Sequence, residues 1–304
     1  MKKNKCIAKI FSLVFLVVFT TTNIHAQTEN DVKIISYNIW NGFDWGKDLE
    51  RKKELVAWIN TQKPDVLALQ ELCAYTPELL KEDAKKWGHE YSVLLKTEGY
   101  SVGLTSNKPI ELIEKVRKGM WHGMLHCTTY GIDFFVLHLS PADYESRKRE
   151  AFIIRNKVQK ITNNKYVLLG DFNAHSPFDR TTLEKNKKLL EKYRKNDTRK
   201  DNKYKNLLNH TYDYSVVSSF LGLPTIDVSF NMVLPNKRYS FPTPALIKGY
   251  NRTAQEILDF RERIDYILLS PVLAKDCLDA QIHNDQNTNY LSDHYPVSVT
   301  LSLK

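Results

Sequence analysis

The stretch VLLGDFN, residues 167–173, joins an apolar run directly to an acid and an amide. Val167 to Leu169 have the character of a short buried strand, and Asp171 and Asn173 follow directly. A carboxylate or an amide at the end of a buried strand is costly unless it is hydrogen-bonded or binds a cation. We therefore predict that this strand ends at the rim of a site.

Other apolar runs begin or end in the same kinds of polar side chain. These polar residues are Asn38, Gln70 with Glu71, His138, Asp265, and Asp293 with His294. If the runs share a sheet, their polar ends meet at one rim and form a set typical of an active site. Carboxylate and amide oxygens suit the hard cations Mg²⁺, Mn²⁺ and Ca²⁺, whereas zinc prefers clustered histidines or cysteines, which this pattern lacks.

The segments between these runs indicate the fold class. Apolar runs at 91–95, 102–105, 110–116, 124–129 and 132–138 have the spacing of an antiparallel meander, whereas other strands alternate with amphipathic stretches. One such stretch, residues 147–162, predicts a helix with Phe152, Ile153, Val158 and Ile161 on its apolar side. Together these patterns predict an α/β protein of two mixed sheets packed together, with helices outside.

The composition excludes several classes of protein. The chain has 304 residues, of which 42% are hydrophobic and 26% charged, so disorder, collagen and coiled coil do not fit. The net charge of +9 is concentrated at the N-terminus and in residues 180–205, which contain eleven Lys/Arg and four Asp/Glu. We interpret the Lys-rich segment, residues 180–206, as a solvated helix on the surface; the alternative is an electrostatic arm for a polyanion or a membrane surface.

Residues 1–26 predict a signal peptide. Lysines precede an apolar run from Ile10 to Phe19, and polar residues and Ala26 follow it. The run is too short for a typical transmembrane helix, so we expect a secreted or periplasmic protein, with an uncleaved anchor as the alternative. Three cysteines remain, Cys73, Cys127 and Cys277; we expect buried thiols, with one disulfide plus a free thiol as the alternative.

The polar strand ends belong to longer motifs that occur in a characteristic order. They are SYNIW (36–40), DVLALQEL (65–72), VLHLSP (136–141), LLGDFNA (168–174), RIDYILLSP (263–271) and LSDHYPV (291–297). In this order the set resembles the endonuclease/exonuclease/phosphatase superfamily, which includes nucleases, secreted sphingomyelinases and inositol-polyphosphate phosphatases. The resemblance implies a four-layer α/β/β/α sandwich, with residues 27–304 as one catalytic domain.

The resemblance also implies roles for the polar residues. His294 resembles the general base of the family, and Asp265 resembles the residue that orients it. The implied metal-binding residues are Glu71, Asn38 and Asp293. Asp171 and Asn173 resemble the pair that positions the attacking water and contacts the phosphoryl oxygens, and His138 resembles an imidazole that hydrogen-bonds the phosphate.

Further residues near these motifs have weaker assignments. His175 follows the 168–174 motif and is a candidate to contact substrate. Glu98 resembles the carboxylate that pairs with the phosphate-binding histidine in deoxyribonuclease-like members of the family, so we expect it to be a partner of His138. His122 and His126 are interpreted as exposed strand histidines, with an orientation towards the groove as the alternative. The extended loop at 239–244 precedes Asp265 and is expected to shape substrate access.

The inferred reaction is hydrolysis of a phosphoester by water, with Mg²⁺ the expected cofactor and Mn²⁺ or Ca²⁺ as alternatives. A phosphodiester in a nucleic acid or a phospholipid headgroup is the expected substrate. A phosphomonoesterase of inositol-phosphate type and a non-catalytic binding protein on the same scaffold are the alternatives. The sequence indicates no stable protein partner, and we expect a monomer.

Overall fold

The structure of the protein is a computed structural model that describes residues 31–303. The predicted signal peptide, residues 1–26, lies outside the described residues. Within residues 31–303, no helix is long and apolar enough to cross a membrane. Cys73, Cys127 and Cys277 are all free thiols, and the first two are buried, as the sequence led us to expect.

The strands form two six-stranded sheets and one small hairpin. In chain order they are β1 (Asp31–Asn38), β2 (Val66–Gln70), β3 (Tyr91–Leu94), β4 (Val102–Ser106), β5 (Glu111–Val116), β6 (Met124–Thr129), β7 (Ile132–His138), β8 (Tyr166–Asp171), β9 (Leu207–Leu208), β10 (Thr211–Tyr212), β11 (Ile226–Asp227), β12 (Asp265–Leu269), β13 (Cys277–Ile282) and β14 (Val297–Ser302). The first sheet has the order β13-β14-β1-β2-β4-β3 and the second has the order β11-β12-β8-β7-β6-β5. Each sheet mixes parallel and antiparallel pairs, as predicted.

Helices cover the outer faces of the two sheets. The α-helices are Leu49–Gln62, Pro77–Lys86, Tyr144–Val158, Arg180–Lys185, Lys187–Thr198, Ser215–Leu221, Val228–Met232, Ala245–Gly249, Ala254–Asp259 and Pro271–Lys275, and a turn of unusual hand covers Trp40–Gly46. Short 3₁₀ turns occur at Pro177–Asp179 and Pro235–Lys237.

The alternation of side chains along each strand builds the layers. Ile34 of β1 points into the core between the sheets, whereas its neighbour Ile35 packs under the helices of the first sheet. Phe134 and Phe135 of β7 divide in the same way between the central core and the helices of the second sheet. Successive strand residues face opposite sides, so apolar runs buried on both faces give the predicted four-layer α/β/β/α sandwich.

Strand pairing brings the polar strand ends to one edge. Asn38 ends β1 opposite Gln70 of β2, because the two strands are parallel. His138 and Asp171 end the parallel pair β7 and β8, and Asp265 begins the antiparallel β12 opposite Asp171. These ends therefore lie on two sheets and not on the single sheet that the sequence analysis supposed, and the 3.1 Å hydrogen bond from Asn38 Nδ2 to Asp171 Oδ2 joins them at one shared edge.

Two details of the sequence prediction are wrong. The predicted helix 147–162 is Tyr144–Val158, because Asp143 accepts a hydrogen bond from the Ser146 N–H and caps it three residues earlier. Phe152, placed on its apolar side, is 65% exposed, and the buried face instead includes Glu150. The carboxylate of Glu150 is satisfied by the backbone N–H groups of Trp121 and Ser140, so a charged residue takes a core position.

The Lys-rich segment, residues 180–206, differs in part from its prediction. Its two helices expose most of their lysines, but they also bury a small apolar cluster against the hairpin of β9 and β10. This cluster consists of Leu183, Leu189, Leu190, Leu207 and Tyr212. The segment is therefore a small packed unit rather than a lone solvated helix.

Candidate active site

The centre of the site is a buried pair, His294 and Asp265. Asp265 begins β12, and His294 lies in the loop before β14. The ring nitrogen Nδ1 of His294 lies 2.9 Å from Asp265 Oδ2, and the two residues are 5% and 3% exposed. The bond to Asp265 fixes the ring and directs Nε2 towards Asp171, whose Oδ2 is 3.8 Å away. This is the arrangement that a general base requires.

Burial and neighbouring charges both shift the pKa values of these residues. Burial lowers the pKa of His294, but the neighbouring carboxylates of Asp265, Asp171 and Asp293 outweigh it and raise the pKa well above its usual value. Burial raises the pKa of Asp171, and the charges of Asp265 and Glu71 act in the same direction. Crowded carboxylates of this kind are the environment in which a bound cation is most stabilising.

Asn38 joins the two sides of the site. Its Nδ2 donates to Asp171 Oδ2 at 3.1 Å and to Glu71 Oε1 at 3.2 Å. Its Oδ1 accepts a hydrogen bond from the backbone N–H of Trp40 at 3.1 Å. Ser292 Oγ donates to the Asn38 carbonyl at 2.6 Å and ties this strand end to the loop that carries His294.

A left-handed turn holds the carboxylate of Glu71. Every residue from Trp40 to Trp45 has φ between +51° and +63°, a backbone conformation that residues other than glycine rarely adopt. The turn presents the Asn41 N–H to Glu71 Oε2 at 2.6 Å. Gly42 is required here, because a Cβ atom on it would lie 2.2 Å from the Cys73 carbonyl oxygen.

Arg51 stabilises this strained turn from the helix Leu49–Gln62. Its guanidinium donates to the carbonyl groups of Ile39, Trp40 and Leu291 at 2.9–3.0 Å. It also lies over the rings of Trp40 and Phe43, at 5.0 and 4.9 Å from their centroids. Strain at this position is consistent with a functional site, since such conformations persist only where the surroundings impose them.

His138 and His122 form one wall of the cleft. Their rings stack with centroids 4.0 Å apart and planes 17° apart. His138 Nε2 lies 3.5 Å from Asp171 Oδ2, so His138 faces the same carboxylate as His294. Burial lowers the pKa of His138 well below its usual value, and positive charge on His122, His294 or Lys96 acts in the same direction.

The residues converge on an open cleft of about 300 Å³. Its lining residues are Trp40, Asn41, Glu71, Tyr100, Trp121, His122, His138, Pro141, Asp171, Asn173, Tyr250, Asp293 and His294. The polar groups of the strand ends meet aromatic side chains there, and this described lining contains no lysine or arginine. In such a cleft the polar groups can act on a ligand while the aromatic rings contact and hold it.

The donor chemistry of the cleft fits a hard divalent cation. Glu71 and Asp293 both line it and offer carboxylate oxygens, and burial together with the charge of Glu71 raises the pKa of Asp293 to about 7. A second group, Asp171, Asp265 and His294, brings one ligand atom each to within 4.8 Å of one another. In that group His294 Nδ1 is already bonded to Asp265. In the first group Glu71 accepts hydrogen bonds from Asn38 Nδ2 and the Asn41 N–H, and each of its oxygens keeps a further lone pair for a cation.

Three sequence assignments do not match the geometry. His175, the candidate for substrate contact, bonds Glu262 Oε2 at 2.7 Å through its Nε2 and packs against Tyr193 and Tyr212, away from the cleft lining. The ring of His175 is directed inwards, where the buried carboxylate of Glu262 is its hydrogen-bond partner.

Glu98 and the two strand histidines also differ from their interpretations. Glu98 is exposed and pairs with Arg117 instead of His138. His122 and His126 are buried, not exposed: His122 lines the cleft, and His126 Nε2 bonds Asp133 Oδ1 at 2.6 Å. For His122 the alternative of an orientation towards the groove is therefore correct, whereas neither interpretation holds for His126.

The loop 239–244 contacts the His294–Asp265 pair directly. Ser240 Oγ accepts hydrogen bonds from the backbone N–H groups of Ile264 and Asp265, both at 3.1 Å. The ring of Phe241 lies 4.8 Å from that of His294. The loop thus supports the histidine and the start of β12.

A sandwich of two mixed sheets whose shared edge carries a His–Asp pair beside clustered carboxylates is the architecture of a metal-dependent phosphoesterase. The chain matches the model of the endonuclease/exonuclease/phosphatase family over residues 35–294. It belongs to this family and is accordingly a metal-dependent hydrolase of phosphoesters. None of the curated proteins compared with the chain matches it.

Solved structures share the fold at low sequence identity. An AP endonuclease from Archaeoglobus fulgidus is 18% identical with a TM-score of 0.65, over 89% of this chain and 99% of its own. A 3′-5′ exonuclease from Neisseria meningitidis is 20% identical with a TM-score of 0.64, over 89% of this chain and all of its own. A 3′ phosphatase from Neisseria, bound to a product DNA hairpin, is 19% identical with a TM-score of 0.61, over 88% of this chain and 98% of its own.

Proposed function

We propose that the protein hydrolyses a phosphodiester by in-line attack of a water molecule that His294 deprotonates. The observation that carries this proposal is the 2.9 Å bond from His294 Nδ1 to Asp265, which leaves Nε2 facing the carboxylate-lined cleft. The oxygen of water bonds to phosphorus, the bond to the leaving oxygen breaks, and the water proton passes to His294 Nε2. Asp265 stabilises the imidazolium that forms.

We infer that Glu71, Asn38 and Asp293 hold one divalent cation, with Mg²⁺ the expected ion. When bound there, Mg²⁺ supplies positive charge for the phosphate and for the leaving oxygen. Asn38 and the Asn41 N–H orient the two oxygens of Glu71. Asp171 lies between His138, His294 and Asn38, where it accepts hydrogen bonds from the attacking water and positions it. Asn173 and His138 contact the phosphoryl oxygens.

A nucleic acid is the substrate class that we propose. The three similar structures are named as an endonuclease, an exonuclease and a phosphatase bound to DNA, and these names support the proposal for this chain. A phospholipid headgroup is the competing substrate, since the aromatic cleft also fits a small zwitterionic group. A panel of plasmid DNA, single-stranded DNA, RNA, sphingomyelin and phosphatidylinositol separates the two.

The reaction is tested on bis-p-nitrophenyl phosphate with Mg²⁺. We expect turnover that Glu71→Gln and His294→Asn each reduce by roughly 100-fold or more. Glu90→Gln and His210→Asn are matched controls, because both residues are exposed and lie outside the cleft lining. If the protein hydrolyses no phosphoester with Mg²⁺, Mn²⁺ or Ca²⁺, the alternative of a non-catalytic binding protein replaces the proposal.

We also propose that residues 1–26 direct export of the protein. The support is the order of basic, apolar and small residues in that segment. N-terminal sequencing of the protein recovered from the periplasm or the medium is expected to begin after Ala26. A full-length protein retained in the cytoplasm contradicts this proposal without affecting the proposed reaction.

A further inference from the structure

His122 occupies a place in the cleft that no assigned role explains. It precedes β6 and stacks face to face on His138, while the ring of Tyr100 contacts it edge-on at 5.3 Å. Only 6% of its surface is exposed, and that part lines the same cleft as Asp171 and His294. The ring is therefore held rigidly beside the reacting groups.

The ring nitrogen Nε2 of His122 is buried and has no hydrogen-bond partner, and the same is true of Nδ1 of His138. Buried polar atoms are almost always satisfied, so an unpaired nitrogen on a residue that lines a cleft is a position where a bound group can supply the partner. His126 provides a comparison within the same chain. Its ring stacks on Phe135 with the same 17° angle, but its Nε2 bonds Asp133.

His122 can donate a hydrogen bond to an anion without carrying a charge of its own. Burial lowers its pKa to about 4, and the positive charge of Lys96 lowers it further, so the ring is neutral at physiological pH. A neutral imidazole still has one N–H to donate, without the cost of a buried charge. Because the described cleft lining contains no lysine or arginine, the donors available to a phosphate there are imidazoles, amides and phenols.

We propose that His122 is a substrate-binding residue that donates a hydrogen bond to a non-bridging oxygen of the substrate phosphate, beside His138. This inference rests on the proposed phosphodiesterase function. The stacked pair places two imidazole rings against the same cleft, and the stacking prevents either ring from turning away. A single phosphate bound in this way needs no basic groove.

The test is steady-state kinetics on bis-p-nitrophenyl phosphate with Mg²⁺. His122→Phe keeps a stacking ring and loses both nitrogens, whereas His122→Gln restores an N–H donor. We expect His122→Phe to lower kcat/KM roughly 10- to 100-fold, as for a hydrogen bond to a charged group, and His122→Gln to recover most of the loss. His126→Gln is the matched control and is expected to change thermal stability but not kcat/KM per folded molecule. If wild type is active and His122→Phe has the same kcat/KM, the proposal is overturned.

A binding measurement keeps this inference separate from the proposed reaction. Calorimetric titration of inorganic phosphate into the Mg²⁺-loaded protein is expected to give a Kd roughly tenfold higher for His122→Phe than for wild type or His126→Gln. If wild type turns over no phosphodiester but shows this difference, the proposed function fails and the His122 site stands. If His122→Phe binds phosphate as well as wild type does, or wild type binds none, the His122 site is refuted.

Discussion

Asp265→Asn tests the catalytic pair with almost no change in shape. The substitution removes the negative charge that faces His294 Nδ1 at 2.9 Å, and both residues are nearly fully buried. Removal of one partner of a buried pair costs about 3–5 kcal/mol. If the transition state carries the whole loss, kcat/KM falls by about 10² to 10⁴, since each 1.36 kcal/mol is a factor of ten.

The pH dependence gives the prediction a sign. The Asp265 carboxylate helps to raise the pKa of His294, so its removal lowers that pKa. A general base works in its unprotonated form, and the rate therefore rises with pH through the pKa of the base. We expect the acid limb of the pH–rate profile to move to lower pH in Asp265→Asn, while the plateau falls.

Asp133→Asn is the matched control for this experiment. Asp133 is also a buried carboxylate bonded to a histidine, His126, but it lies outside the cleft lining. The assay is release of p-nitrophenol from bis-p-nitrophenyl phosphate, with the folded fraction measured by thermal unfolding. Asp133→Asn is expected to lose stability and keep its kcat/KM. The reasoning is refuted if Asp265→Asn keeps more than a third of wild-type kcat/KM, or if the control loses as much activity.

Further predictions concern stability. Burial, with the charge of Lys33, lowers the pKa of His283 to about 4. Because the unfolded chain binds this proton from about pH 6.5, wild type is expected to lose roughly 3 kcal/mol between pH 6.5 and 4 from this residue; urea unfolding that shows the same pH dependence in His283→Gln contradicts this. Gly42→Ala places a Cβ against the backbone of Cys73 and is expected to cost about 3 kcal/mol or more in urea unfolding; an unchanged midpoint contradicts the clash. Arg51→Met leaves three carbonyl groups without their donor, and we expect the free energy of unfolding to fall by roughly 3–5 kcal/mol. We also expect half-maximal activity to need a higher Mg²⁺ concentration than in wild type; an unchanged Mg²⁺ dependence contradicts the role of Arg51.

The strand ends were predictable because two rules coincide there. A short apolar run marks a buried strand, and a polar side chain directly after it has few explanations other than a site. The pairing of Asn38 with Gln70 and of His138 with Asp171 follows once the strands are parallel. The sequence therefore located most of the floor of the cleft without any knowledge of the strand order.

The walls of the cleft were harder to predict. His122 lies before β6, and its contact with His138 depends on how the two strands pair, which no local pattern specifies. His175 follows the same turn as Asn173, but its ring turns towards Glu262, a residue far along the chain. In both cases the direction of a side chain is set by a distant partner, and short-range periodicity does not report it.

The turn at Trp40–Trp45 shows a third limit. Asn41, Gly42 and Asp44 tolerate a positive φ, but the tryptophan and phenylalanine residues of the turn do not favour it. The conformation is maintained by Arg51 on a following helix. A local propensity argument therefore predicts an ordinary loop where tertiary contacts impose a left-handed one.

We propose that Glu71, Asn38 and Asp293 bind one divalent cation within reach of His294. The most direct test is a crystal structure of the Mn²⁺-loaded protein with an anomalous difference map. We predict one strong peak in the cleft about 2.0–2.3 Å from a carboxylate oxygen of Glu71, and its loss in Glu71→Gln crystals. A map with no peak in the cleft, or with the peak unchanged in Glu71→Gln, contradicts the account.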